Sequence, residues 1–220
     1  MATASAALSP AFTAHFKVVL TGEAGVGKTS MFRHLEAVHK DVDWSKSDRD
    51  FCTYKTKIDG SCIELGVWDT AGVEVYRSIT RNYYRGSRVI VFVYREDSLS
   101  SLNGLANHVK SARFQAKDAH SILVGTTCTK VVTDESKKNW ESSDTIVSDE
   151  KVKKFAQEFD FPPETIHLVD LSTPDSVVNI FQQIAEMLAE EGAGTVPTDE
   201  ERFKISDKKS PAPANTSCLC

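Results

Sequence analysis

Phe16-Lys17-Val18-Val19-Leu20-Thr21-Gly22-Glu23-Ala24-Gly25-Val26-Gly27-Lys28-Thr29-Ser30-Met31-Phe32 is the stretch that decides the fold. An apolar, β-rich run enters a glycine-rich turn and leaves it as a helical pattern. The turn, Gly22 to Thr29, has the form G-x-x-x-x-G-K-T. Glycines at these spacings let backbone amides face a bound polyphosphate without Cβ interference, and the next helix points its positive end at the same anion. Lys28 then reaches the β- and γ-phosphates and Thr29 a magnesium ion. A plain glycine turn capping a helix would explain the glycines, but not the strand before and the helix after.

Working outward, Val18, Val19 and Leu20 form the continuous apolar run of a central strand, about His15 to Thr21, buried on both faces. The helix runs from about Lys28 to Lys40 and turns Met31, Phe32 and Leu35 inward. A charged stretch, Asp41 to Asp50, reads as an exposed loop. Strands at about Phe51–Ile58 and Cys62–Trp68 follow, joined by the hairpin signal Asp59-Gly60. They lead to Trp68-Asp69-Thr70-Ala71-Gly72, where Asp69 suits a second magnesium contact and Gly72 a backbone approach to a γ-phosphate. Alone, D-x-x-G marks only a turn; after a phosphate loop it carries information.

Further on, Val89–Tyr94 reads as a buried strand, Ser98 to Ala116 as a helix and Ser121–Gly125 as another strand. Residues 129–148 are polar and long for a connection, which marks a functional or disordered loop. Ser148 caps a helix reaching Phe159, and a strand lies near Thr165–Val169. The last helix starts near Asp175 and buries Val177, Ile180, Phe181, Ile184 and Leu188. Strands alternating with helices call for a parallel sheet covered on both faces. The expected organisation is a mobile leader over residues 1–14, one domain over 15–191 and a flexible tail over 192–220.

With 220 residues, 40% of them hydrophobic, the chain can bury one substantial core. A formal charge of -5 argues against a nucleic-acid partner. There is neither an 18-residue apolar run nor the apolar core of a secretory signal, so the expected place is the cytosol. Cys52, Cys62, Cys128, Cys218 and Cys220 form no zinc or C-x-x-C pattern.

From Phe16 to about Leu188 the chain resembles the Rab family of small GTPases, within the Ras-like superfamily. The phosphate loop and Trp68-Asp69-Thr70-Ala71-Gly72 match, and Arg77-Ser78-Ile79-Thr80-Arg81-Asn82-Tyr83-Tyr84-Arg85-Gly86 looks like the Rab version of the segment after switch II. The resemblance implies an α/β fold of the P-loop NTPase type, three layers with a mostly parallel six-stranded sheet and helices on both faces. It implies GTP/GDP and Mg2+ as ligands, held by Gly22, Glu23, Ala24, Gly25, Val26, Gly27, Lys28, Thr29, Asp69 and Gly72, with Thr126, Thr129 and Asp170 at the base positions and Thr29 and Asp69 on the metal. Effector proteins, an exchange factor and a GDP-dissociation-inhibitor-type chaperone are the implied partners, and vesicle trafficking the implied setting. The ending Cys218-Leu219-Cys220 resembles the C-x-C end on which Rab proteins carry two geranylgeranyl groups, which would anchor the chain to the cytoplasmic face of a membrane. Two anchors hold where one holds only marginally. Two free thiols on a disordered tail are the alternative.

Four positions depart from the family. Val73 stands where a glutamine usually orients the attacking water; valine has no donor or acceptor, so hydrolysis is expected to be slow and no catalytic residue is assigned. Lys46 falls where switch I usually offers a threonine, with Ser45 and Ser47 beside it, and the ligand there stays open. Thr126-Thr127-Cys128-Thr129 replaces the base-reading N-K-x-D motif, with Thr129 in place of the aspartate. A hydroxyl cannot reproduce a bidentate carboxylate, whose charge-assisted bonds contribute roughly 1.5–3 kcal/mol each. Asp170-Leu171-Ser172 replaces the S-A-K loop; Asp170 either bonds the base from the other side or forms a turn. The expectation is a membrane-anchored guanine-nucleotide switch with weak GTP hydrolysis. A scaffold that binds nucleotide weakly or without base preference is the alternative, and an unrelated P-loop ATPase or kinase a third.

Overall fold

A computed structural model describes residues 13–38, 50–70, 83–127 and 146–192. Six strands, β1 (Thr13–Thr21), β2 (Phe51–Ile58), β3 (Ser61–Asp69), β4 (Val89–Arg95), β5 (His120–Thr127) and β6 (Ile166–Asp170), form one sheet in the order β2-β3-β1-β4-β5-β6. All neighbours are parallel except β2 and β3. That antiparallel pair turns at Asp59 and Gly60, both with positive φ (48° and 82°), the geometry a two-residue hairpin needs. The helices are α1 (Lys28–Val38), α2 (Leu99–Gln115), α3 (Asp149–Glu158) and α4 (Pro174–Gly192).

The strand period of two sorts each apolar run between two cores. Val18 and Leu20 of β1 and Val89, Val91 and Val93 of β4 pack with Met31, Phe32 and Leu35 of α1 and Val177, Phe181 and Leu188 of α4. Val19, Ile90 and Phe92 point the other way, onto Leu102, Leu105 and Val109 of α2 and Phe155 of α3. All five inward residues expected of α4 are buried. The expected mostly parallel, doubly covered sheet is therefore the one found.

The differences are extensions. β1 begins at Thr13 rather than His15, because Cys62 and Ile63 of β3 continue to offer register partners; Ala14, placed in the expected leader, is buried. β5 runs to Thr127, drawn along β6 as far as Asp170, and so lifts Thr126 into the sheet. Pro174 opens α4 one residue early, at a position where its missing N–H costs nothing. Ser98 caps α2 through its side chain, whereas Ser148 stands at the cap of α3 without such a bond, leaving Asp149 and Glu150 to face the helix's positive end. Among the described residues, no helix is long and apolar enough to cross a membrane.

Candidate functional site

The C-terminal ends of β1 and β3 and the N-terminus of α1 converge on one place, the usual position of a ligand crevice in an open α/β sheet. The loop Gly22–Gly27 bridges β1 to α1. Gly22 has φ 149°, and a Cβ there would meet the Val93 carbonyl oxygen at 2.2 Å. No other residue fits without moving β4. Lys28 is almost wholly buried, and its Nζ donates to the carbonyls of Gly22 and Glu23, both at 2.8 Å. An ammonium so placed draws the loop around itself and holds a positive charge at its centre.

Thr29 Oγ1 donates to Asp69 Oδ2 at 2.7 Å, bringing together the two expected metal-binding side chains from elements 40 residues apart. Two hard oxygens beside a phosphate loop match the few protein ligands magnesium takes when substrate phosphates supply the others. Thr70, fully buried, donates to Leu20 O at 2.8 Å and locks the end of β3 to β1. Nearby, burial first, and then the charges of Glu36 and Asp69, push the Cys52 thiol up to about 12, so it stays protonated.

The opposite side is built differently. Thr126 Oγ1, buried, points to the carbonyls of Val26 (2.7 Å) and Tyr94 (3.2 Å), so its hydroxyl serves the phosphate loop. Asp170 Oδ1 accepts from both the backbone N–H and the hydroxyl of Ser172, at 2.8 and 2.7 Å. Leu171 lies over the loop, its Cδ1 2.6 Å from where a Cβ on Gly27 would stand, and its carbonyl is 2.9 Å from His34 Nε2. An open cleft of about 420 Å³ lies here, lined by Gly25, Gly27, Arg33, His34, Arg95 and Leu171 among others.

A model of the Ras family matches residues 17–189, most of the chain. The chain belongs to the Ras family. Within it the Rab proteins are its relatives. It is 32% identical over 157 residues to Ras-related protein RABD2c of Arabidopsis thaliana, covering 70% of this chain and 72% of that protein. It is 28% identical over 208 residues to GTP-binding protein YPT1 of Saccharomyces cerevisiae, covering 93% and 96%. To Ras-related protein Rab-8A of Bos taurus it is 36% identical over 115 residues, covering 51% and 56%.

For this Ras-family chain the fold brings Gly22, Glu23, Ala24, Gly25, Val26, Gly27, Lys28, Thr29 and Asp69 together around one loop, and places Thr126 and Asp170 at its far edge. Gly72, Val73, Lys46, Ser45, Ser47, Thr129, Cys218 and Cys220 lie outside the described residues. Sequence reasoning missed three participants: Thr70, the His34–Leu171 contact, and His108, which reaches the loop from α2. Thr70 sits inside the D-x-x-G motif and was within reach. The two histidines carry no spacing signal, because their partners are 137 and 85 positions away (171 − 34 and 108 − 23).

Proposed function

We propose that this chain is a Rab-type, membrane-anchored nucleotide switch of intracellular trafficking. The Thr29–Asp69 oxygen pair carries the reading. It stands next to a buried lysine and the open N-terminus of α1, whose first amides have no partner within the helix. GTP or GDP would be gripped through its phosphates by the loop and Lys28, with Mg2+ on Thr29 and Asp69. Held there, magnesium would supply neutralisation of the phosphate charge. The protein's own part is to hold these groups fixed and to keep water ordered for attack, and Val73 cannot do the second. The switch is therefore a weak hydrolase biased toward the triphosphate form. Effectors, an exchange factor and a GDP-dissociation-inhibitor-type chaperone are the partners proposed with it, and geranylgeranyl groups on Cys218 and Cys220 the anchor.

One observation favours a second reading, a scaffold that binds nucleotide without base preference. The Asp170 carboxylate, the one acid the rebuilt loop offers to a base, is engaged by Ser172. Denaturing freshly purified protein and chromatographing what is released separates the readings. Guanine nucleotide near one per chain supports the switch, and none or a mixture of bases supports the scaffold. Adenine nucleotide alone would mean that both are wrong.

A further inference from the structure

Glu23 is the second residue of the phosphate loop, and its side chain turns away from the loop's centre. It lies flat on α2: a Cβ added to Gly104 would stand 2.6 Å from Glu23 Oε1 and 2.8 Å from its Cγ. Glycine inside a helix costs roughly 1 kcal/mol against alanine, and here it leaves room for this one side chain. One turn further along α2, His108 Nε2 lies 3.4 Å from the same Oε1. The other ring nitrogen, Nδ1, is 3.0 Å from Thr21 Oγ1, which is 2.7 Å from the Tyr84 hydroxyl. Thr21 and Tyr84 are fully buried, and the His108 side chain is 13% exposed.

These contacts have a direction. Thr21 has one hydroxyl proton. If Tyr84 donates to Thr21, then Thr21 donates to Nδ1 and the proton of a neutral His108 sits on Nε2, facing Glu23. A charged His108 has a proton on both ring nitrogens, so Thr21 Oγ1 then accepts from Nδ1 while Nε2 still presents its proton, and the added charge, to Glu23. Burial pushes the Tyr84 hydroxyl up to about 12, despite its bond to Thr21, so it keeps its proton. With the bonds running in that direction Nε2 presents a proton to Glu23 in both states of His108, and the charged one holds it harder.

We propose that His108 is a positioning residue for the phosphate loop: it clamps the Glu23 side chain against Gly104 and so fixes the loop for a polyphosphate. The need is mechanical. Lys28 restrains Glu23 through its carbonyl, and a bound phosphate competes for that ammonium. The side-chain clamp anchors the same residue from the opposite side, to α2, β1 and the turn at Tyr84. The titratable groups facing His108 among the described residues are Glu23 from the loop and Tyr84 from the turn before β4.

This inference rests on the phosphate-binding reading above, and two measurements keep them apart. The first is release of a fluorescent GDP from the full chain with magnesium, followed across the range in which histidines titrate. Release from the parent slows as pH falls. Glu23→Gln and His108→Gln each speed release about fivefold at the acid end, the size of a partly exposed ion pair, and flatten the slope; the double variant is no faster than either. The remaining histidines are common to parent and variants, so the part of the effect that the two single variants share isolates the clamp. The second is the NMR titration of the His108 ring in the protein as purified, whose midpoint falls in Glu23→Gln. Unchanged pH profiles, additive rates or an unmoved midpoint would overturn the clamp. A parent that captures no fluorescent GDP would defeat the nucleotide reading, and the His108 midpoint alone then decides the clamp.

Discussion

The two halves of the site are made by opposite strategies. On the phosphate side, consecutive residues of one loop close around Lys28, and the Thr29–Asp69 contact joins α1 to β3. On the far side, among the described residues, Thr126 holds Val26 and Asp170 holds Ser172, while the Leu171 side chain covers Gly27. A polyphosphate needs positive charge and backbone amides, which any sequence keeping the loop can supply. A purine edge needs a particular carboxylate in a particular place, and one substitution removes it. In the proposed switch the grip on phosphate is robust to divergence and the reading of the base is fragile.

The largest expected effect breaks the first half. Lys28→Ala removes the charge proposed to reach two phosphates and frees the Gly22 and Glu23 carbonyls, so nucleotide retention falls on the order of 100-fold or more. Equilibrium dialysis with labelled GDP reads it directly. Next, Val73→Gln restores a water-orienting group and raises single-turnover hydrolysis by up to about 100-fold; an unchanged rate would mean that the loss of glutamine is not what limits turnover.

Thr126→Val tests the seam between the halves. It leaves the buried Val26 carbonyl without its donor and costs about 1–3 kcal/mol of stability, measured by urea unfolding. Asp170→Asn is milder, because an amide oxygen still accepts from Ser172. It changes stability by less than about 1 kcal/mol and leaves the guanine-to-adenine ratio alone. A ratio that moves tenfold would make Asp170 a base reader.

The smallest effect is a control away from both halves. Desolvation opposes it, but hydrogen bonds and charge from His120 and Arg88 hold the Glu191 carboxyl below its ordinary 4.5. A lowered carboxyl stabilises the fold above its unfolded value, and that contribution is lost as pH falls through the folded value. Because this pair is partly exposed, Glu191→Gln should lower Tm at neutral pH by at most about 4 °C, with the difference vanishing in acid.

How much was legible follows from how local each feature is. The strands read well because Val18-Val19-Leu20 and Val89–Tyr94 are unbroken apolar runs buried on both faces. Their ends read less well: Thr13 and Thr127 join the sheet only because a neighbouring strand offers partners there. The phosphate half was legible in eight consecutive residues, and Asp69 through its glycine three positions on. The clamp on Glu23 was not, since Thr21, Tyr84 and His108 meet across 63 and 87 positions, and a lone histidine on a helix carries no pattern. In the sequence Leu171 is only a loop substitution; its cover over Gly27 depends on where β6 ends.

The contrast between the halves is tested most directly by one ratio, the dissociation constants of the magnesium complexes of GDP and ADP on the same protein. A base site with its hydrogen bonds complete rejects the wrong partner by about 10⁴-fold or more. With Thr129 at the position proposed for the base-reading carboxylate and Asp170 turned to Ser172, both nucleotides should bind and guanine should be preferred by less than about 100-fold. A preference of 10⁴ or greater would contradict the account, because the purine would then be read by groups that it assigns to holding the protein together.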